Sequence, residues 1–311
     1  MNQIGYACIN MELSKQKPKI YTGRSMIKRT FEQRGIQYAS QLGLDNTKDL
    51  YKIIKWNNEH DFKFFRITSN LFPWCSEYKL QDMPDYREIK MVLRKIGKYV
   101  KANDMRITSH PGPFNVLTSP REHVVQNCIK DLSIHGEVFD MMGLSRTPYN
   151  KINIHIGGAY GDKVSAMKRF CENFHLLPNS VKSRLTVEND DKASMYSVKD
   201  LYEGVYNVIG IPIVFDYHHH KFCTGDLSEQ QALELACSTW NDIIPVVHYS
   251  ESRSKEHNDT TIREQAHSDY VYDYIDTYGN VVDIMVEAKA KELAVLRYKE
   301  LHKITNTLLV D

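Results

Sequence analysis

The stretch VFDYHHH at 214–220 places an aspartate and three histidines directly after the apolar run Ile211–Val214. Five other apolar runs end in the same chemical vocabulary: His110 in TSHPGPF, His155 in INIHIGGAYG, Glu188 in TVEND, His248 in VVHYS and Glu287 in MVEAK. A single histidine at such a position is most often a hydrogen-bonded rim residue. Asp216 alone could satisfy backbone donors in a turn, and Glu287 alone could cap the helix that follows it. Six in succession ask for a common cause. Carboxylates gathered in one place repel one another unless cations lie between them. Imidazole and carboxylate donors without thiolate suit zinc, manganese or iron. The set also exceeds what one tetrahedral ion needs. Two or three divalent ions are therefore expected, with Glu188 and Glu287 as bridging candidates. His219, three residues past Asp216, can return to the same place through a turn, and His220 can orient a bound ring or meet substrate. Clustered ions suit phosphoester hydrolysis, in which one activates a water and another stabilises the leaving oxygen. Sugar isomerisation uses similar donors and stays open at this point.

Such residues need elements that carry them to one place. Eight β-rich runs are expected at Ile4–Ile9, Phe62–Thr68, Met105–His110, Lys151–Ile156, Arg184–Glu188, Ile211–Tyr217, Ile243–Tyr249 and Val281–Glu287. Helical periodicity lies between them. Leu50, Ile53, Ile54 and Asn57 fit one helix; Ile89, Val92, Leu93, Ile96 and Val100 form a stripe on the next. Ser119-Pro120 with Glu122 reads as a helix start, Gly210 as a stop, and Ser228 with Gln231 as a capping box. Eight β/α units predict a (β/α)8 TIM barrel spanning residues 1–311, with an open doubly wound sheet as the alternative. In the barrel all six strand ends meet on the C-terminal rim. No G-x-G-x-x-G follows the first strand, which weakens a dinucleotide-binding version of the open sheet. A long basic loop is expected over about 10–45, where Lys15, Lys17, Lys19, Arg24, Lys28, Arg29 and Arg34 outnumber Glu12 and Glu32. Such a loop is a candidate phosphate-facing surface.

The formal net charge is +1, so nucleic-acid binding would have to come from a local basic face rather than from the total. No run of 18 apolar residues is present, and the first residues do not read as a signal peptide. No membrane association is expected. Six cysteines without a C-x-x-C pair read as free thiols of an intracellular protein, cytoplasmic or nuclear.

Taken in order, FRIxxxLFP (65–73), SHPG (109–112), HxGGAYG (155–161), END (188–190), DxxHH (216–220), VHYS (247–250), AHSDY (266–270) and VEAK (286–289) resemble the UV damage endonuclease (UVDE) family, within the endonuclease IV-like metal-dependent barrels. The resemblance covers most of the chain. It implies an enzyme acting on damaged double-stranded DNA without a nucleotide cofactor, and a monomer is expected because one barrel can host the complete site. Cleavage falls immediately 5′ to pyrimidine dimers or 6-4 photoproducts and leaves a 3′-hydroxyl. Some members act at abasic sites, which is the alternative activity. Manganese is the implied ion, with zinc or cobalt as substitutes. The implied ligands are His110, His155, Glu188, Asp216, His219, His248, His267 and Glu287, of which His267 comes from the resemblance alone. Tyr6, Pro113 and Phe114 fall at the lesion-probing positions, where the family typically has Gln-Tyr in place of Pro113-Phe114. Asn10, Asn70, Tyr160 and Lys163 are further candidates for supporting or phosphate contacts. Relatives can carry histidine at Asn70 and a carboxylated lysine at Val246. The wider superfamily has aspartate at Gln265, so a weaker third metal site is expected.

Overall fold

The computed structural model describes residues 3–304. Residues 1, 2 and 305–311 of the expected 1–311 domain lie outside the described residues. Eight parallel strands close into one barrel in chain order: β1 Ile4–Cys8, β2 Phe64–Ile67, β3 Arg106–Ser109, β4 Ile152–Ile154, β5 Leu185–Glu188, β6 Ile213–Asp216, β7 Val246–Tyr249 and β8 Asp283–Val286. Each expected strand is present, trimmed at its ends. The open-sheet alternative fails because β8 pairs with β1.

Strand side chains alternate between two environments. Ile4, Tyr6, Phe65, Ile67, Ile107, Val187, Phe215 and Val247 point outward and join the large core beneath the helices. Ala7, Phe64, Val214, Val246 and Met285 point inward and pack with Trp240 as a separate core inside the barrel. Below them, Arg106 lies fully buried against Asp283 at 2.7 Å and bonds the carbonyls of Tyr149 and Ile244. This pair closes the N-terminal mouth, leaving the opposite rim for chemistry.

The helical layer follows the apolar periodicities. The first four helices are α1 Met11–Ser14, α2 Lys28–Glu59, α3 Tyr86–Ala102 and α4 Glu122–Met142. Gly97 lets α3 and α4 touch, since a Cβ there would come within 1.7 Å of the Met142 carbonyl oxygen. The Ser228–Gln231 capping box opens the helix Glu229–Cys237. Gly210, in the left-handed region at φ 70°, ends the helical run as expected. All six cysteines are free. Among the described residues no helix is long and apolar enough to cross a membrane.

The 10–45 segment departs from expectation. Asn10 caps α1 by accepting from the Leu13 amide at 2.8 Å, and α2 already begins at Lys28. A kink at Gly35 (φ 62°) splits the pattern of α2, which hid its first turns in the sequence. Its apolar face begins only at Ala39 and Leu42, so the exposed first turns looked like loop. The irregular part is confined to 15–27. Lys15, Lys17, Lys19, Lys28, Arg29 and Arg34 are exposed, whereas Arg24 is committed to Asp49 at 2.6 Å.

Candidate metal centre

Barrel closure turns six separate strand ends into one cluster. Glu188 ends β5 and Asp216 ends β6; His248 lies one residue from the end of β7. His110, His155 and Glu287 immediately follow β3, β4 and β8. Parallel pairing sets Asp216 beside His248. Asp216 then caps a single helical turn, Tyr217–His220, by accepting from the His219 amide at 2.8 Å. That turn points the His219 ring back over the barrel. VFDYHHH is thus a strand end followed by a capped turn, and one face of it serves the cluster.

Glu188 is the centre. His110 Nε2 and His248 Nδ1 each lie 3.1 Å from its Oε2, and His219 Nδ1 lies 3.4 Å from Oε1. His155 Nε2 lies 4.0 Å from Oε1. Glu287 approaches from the far side, with its Oε1 3.1 Å from His248 Nδ1. His267 Nδ1 lies 2.9 Å from the Glu287 carbonyl oxygen. Its loop is held by a backbone bridge between Ser252 and His267. All eight residues implied by the resemblance therefore meet at one end of the barrel.

The electrostatics show what the cluster can hold. Burial would raise the Glu188 carboxyl, but the His248 and His155 imidazoles outweigh burial and hold it well below the usual range. Burial would lower His155, yet Glu188 and Asp190 carry it up to about 10. His248 is pushed down to about 4 by burial. Asp216 is pushed up to about 6 by burial and by the Glu188 and Glu287 charges, with His219 opposing. Asp216 Oδ2 is buried without a hydrogen-bond partner among the described residues. A buried carboxylate oxygen with no donor, facing two further carboxylates, fits a cation. Donor atoms of His110, His155 and Glu188, and of Glu188, Asp216 and His248, lie within 4.8 Å of one another. The donor set fits more than one divalent ion, with Glu188 common to both groups.

The sequence of the UV-endonuclease UvdE family matches residues 2–309. The chain belongs to the UvdE family. A UV-damage endonuclease of Schizosaccharomyces pombe is 34% identical over 98% of this chain, which spans 51% of that protein. A UV DNA damage endonuclease of Bacillus mycoides is 31% identical over 94% of this chain and 91% of its own. The chain thus spans about half of the yeast relative and nine-tenths of the bacterial one. The crystal structure of SacUVDE superposes with TM-score 0.81 at 32% identity, covering 98% of this chain and 100% of that one. D-psicose 3-epimerase from Clostridium cellulolyticum H10 superposes at TM-score 0.53 and 12% identity, over 83% of this chain and 87% of that one. At that identity the likeness is one of fold alone.

Several residues of this UvdE-family chain stand elsewhere than the sequence suggested. Tyr6 is not on the rim. It points outward from β1, is fully buried, and hydrogen-bonds Asn57 of α2 while accepting from Asn10 Nδ2 at 3.0 Å. Burial raises its hydroxyl far above the usual range. It shares its strand parity with Ile4, and within β1 it is Gly5 and Ala7 that face the barrel interior. Asn10 is likewise a buried cap, so neither reaches a duplex. His220 packs against Phe215, with ring centroids 5.3 Å apart, and stays out of the cluster. Lys163 is paired with Asp200 at 3.3 Å, while Tyr160 is about half exposed on its loop. Asn70 is exposed and lines a cavity of about 590 Å³ together with Pro113 and Phe114. Phe114 stands 88% exposed on its lip.

The structure also adds supports that strand ends alone did not reveal. Asn153 donates to Glu188, and Asp190 lies 3.3 Å from His155 Nδ1. Arg66 pairs with Glu287. The Asn189 side chain exchanges hydrogen bonds with the Asp216 backbone at 2.8 and 3.0 Å. Arg66 and Asn153 were visible in principle as polar residues one position before the ends of their strands, on the inward parity.

Proposed function

We propose that this chain is a DNA repair endonuclease that hydrolyses the phosphodiester immediately 5′ to UV photoproducts, leaving a 3′-hydroxyl. The reading takes its substrate from the UvdE family and its chemistry from one observation: Glu188 is ringed by four imidazoles on the barrel rim, with Asp216 and Glu287 alongside. Two or three divalent ions, manganese first, would be held there by His110, His155, Glu188, Asp216, His219, His248, His267 and Glu287. Bound ions supply Lewis acidity toward the phosphate and an activated water. The protein's own part is to hold these side chains rigidly and to shape the approach. Exposed lysines and arginines at 15–34 would meet backbone phosphates, which position a duplex without reading its sequence. A lesion weakens stacking, so opening the helix there costs less than at intact pairs. Phe114, with Pro113 stiffening its loop, would fill the opened stack. One barrel carries the whole ligand set, consistent with action as a monomer wherever the cell keeps its DNA.

The direct test uses end-labelled duplexes carrying a thymine dimer, an abasic site or neither, with manganese and with EDTA. A manganese-dependent cut just 5′ to the dimer is expected, with none in the intact duplex. Cleavage confined to the abasic duplex would transfer the chain to the alternative activity. No cleavage with manganese, zinc or cobalt would sink the nuclease reading and send attention to sugar substrates.

Phe114→Ala should leave folding intact, because the ring is almost wholly exposed. Stacking of one base on an aromatic is worth about 1–3 kcal/mol, so affinity for the dimer duplex should fall about tenfold or more. Affinity for intact duplex should hardly change. Equal loss on both duplexes would assign Phe114 to general binding instead.

A further inference from the structure

The floor of the candidate metal centre contains a buried lysine. Lys151 immediately precedes β4, and its side chain enters the barrel on the same face as Asn153 and His155. It is fully buried. Its Nζ lies 3.1 Å from His248 Nε2. The other ring nitrogen of His248, Nδ1, faces the carboxylates, 3.1 Å from Glu188 Oε2 and 3.1 Å from Glu287 Oε1. One imidazole thus bridges an amine below and two carboxylates above.

We propose that Lys151 is a positioning residue for the metal centre: its amine accepts from His248 Nε2–H and so holds the imidazole with the Nδ1 lone pair turned toward Glu188 and Glu287. The proposal rests on the reading of the cluster as a divalent-metal site. A histidine ring can rotate by half a turn in nearly the same volume, exchanging nitrogens for carbons. Packing alone distinguishes the two orientations poorly, whereas a hydrogen bond at the far nitrogen selects one. The inner-face neighbours Val214, Val246 and Met285 are apolar and offer that nitrogen nothing. Lys151 is the partner the structure provides. A buried amine is also a costly way to fill space that methionine or leucine would fill without desolvating a polar group. Its presence there therefore points to a role other than packing. Arg66 reaches Glu287 from β2 in a parallel arrangement, so two inner donors are each steadied by a basic side chain from a different strand.

The test compares wild type with Lys151→Met, Lys151→Leu and Lys151→Gln, all stripped of metal by EDTA and dialysed. Three readouts are taken: Mn2+ affinity by calorimetry, the visible absorption spectrum of the Co2+-loaded protein, and urea unfolding of the metal-free protein. Loss of a partner that orients a ligand typically weakens metal binding by about ten- to a hundredfold. That loss is expected in both apolar variants, with a changed Co2+ spectrum, while the metal-free proteins are at least as stable as wild type. Lys151→Gln, whose amide oxygen can still accept from Nε2–H, should recover most of the affinity and the native spectrum. Apolar variants with wild-type affinity and spectrum would overturn the role of Lys151 while leaving the metal site standing. A wild type that binds neither ion would overturn the metal reading itself, and this proposal with it.

Discussion

Glu188→Gln is expected to lower cleavage of a dimer-bearing duplex by at least about a thousandfold, since metal-ion stabilisation of a phosphoryl transition state is worth several kcal/mol and each 1.36 kcal/mol is a factor of ten. The substitution keeps the shape and removes one negative charge from the middle of the cluster. Glu188 shares donor groups with both His110–His155 and Asp216–His248, so both lose an anionic donor at once. Metal content measured on the purified variant should fall together with turnover. The charge loss also has a signature without metal. His155 is carried up to about 10 by Glu188 and Asp190 against the effect of burial, so its imidazole should titrate lower in the variant, as NMR of the metal-free protein would show. Wild-type turnover in Glu188→Gln would remove the rim cluster from the mechanism.

Arg106→Leu is expected to destabilise the fold by about 3–5 kcal/mol, the usual effect of leaving one member of a buried ion pair alone. Arg106 is fully enclosed, flanked by the rings of Tyr149 and Trp240, and binds Asp283 and the carbonyls of Tyr149 and Ile244. Removing it strands Asp283 in the barrel floor. The double variant with Asp283→Leu should recover much of the loss, because an apolar pair of similar volume often equals or exceeds a buried ion pair. Urea unfolding of the three proteins reads this directly. Any folded single variant should keep its turnover, since the pair lies at the mouth opposite the metal centre. A change below about 1 kcal/mol would mean that the barrel floor is wetter or more adaptable than its burial indicates.

Much of the molecule was legible before folding was considered. Strand runs such as Phe62–Thr68 and Ile211–Tyr217 announce themselves because a barrel strand is buried on both faces and must be apolar and β-branched or aromatic. Helix stops and starts at Gly210 and Ser228 were legible because capping is local chemistry. The beginning of α2 was not, because its first turns are solvated and charged and carry no apolar stripe. The outward sense of Tyr6 was not legible in its motif, because a motif match carries no strand parity. His267 has no strand to announce it; its place depends on a backbone bridge to Ser252 and a bond to the Glu287 carbonyl, both contacts between distant segments.

By itself the sequence determined the eight-unit alternation, the donor chemistry at six strand ends and the membership of a family, because each is written in residue types over short spans. Only the tertiary structure decided which donors face one another, that Glu188 lies at their centre, that Tyr6 is core rather than on the rim, and that Lys151 and Arg66 stand beside them. These depend on barrel closure and on strand parity across the closed sheet. Residues more than 90 positions apart, such as Lys151 and His248, become neighbours only through it.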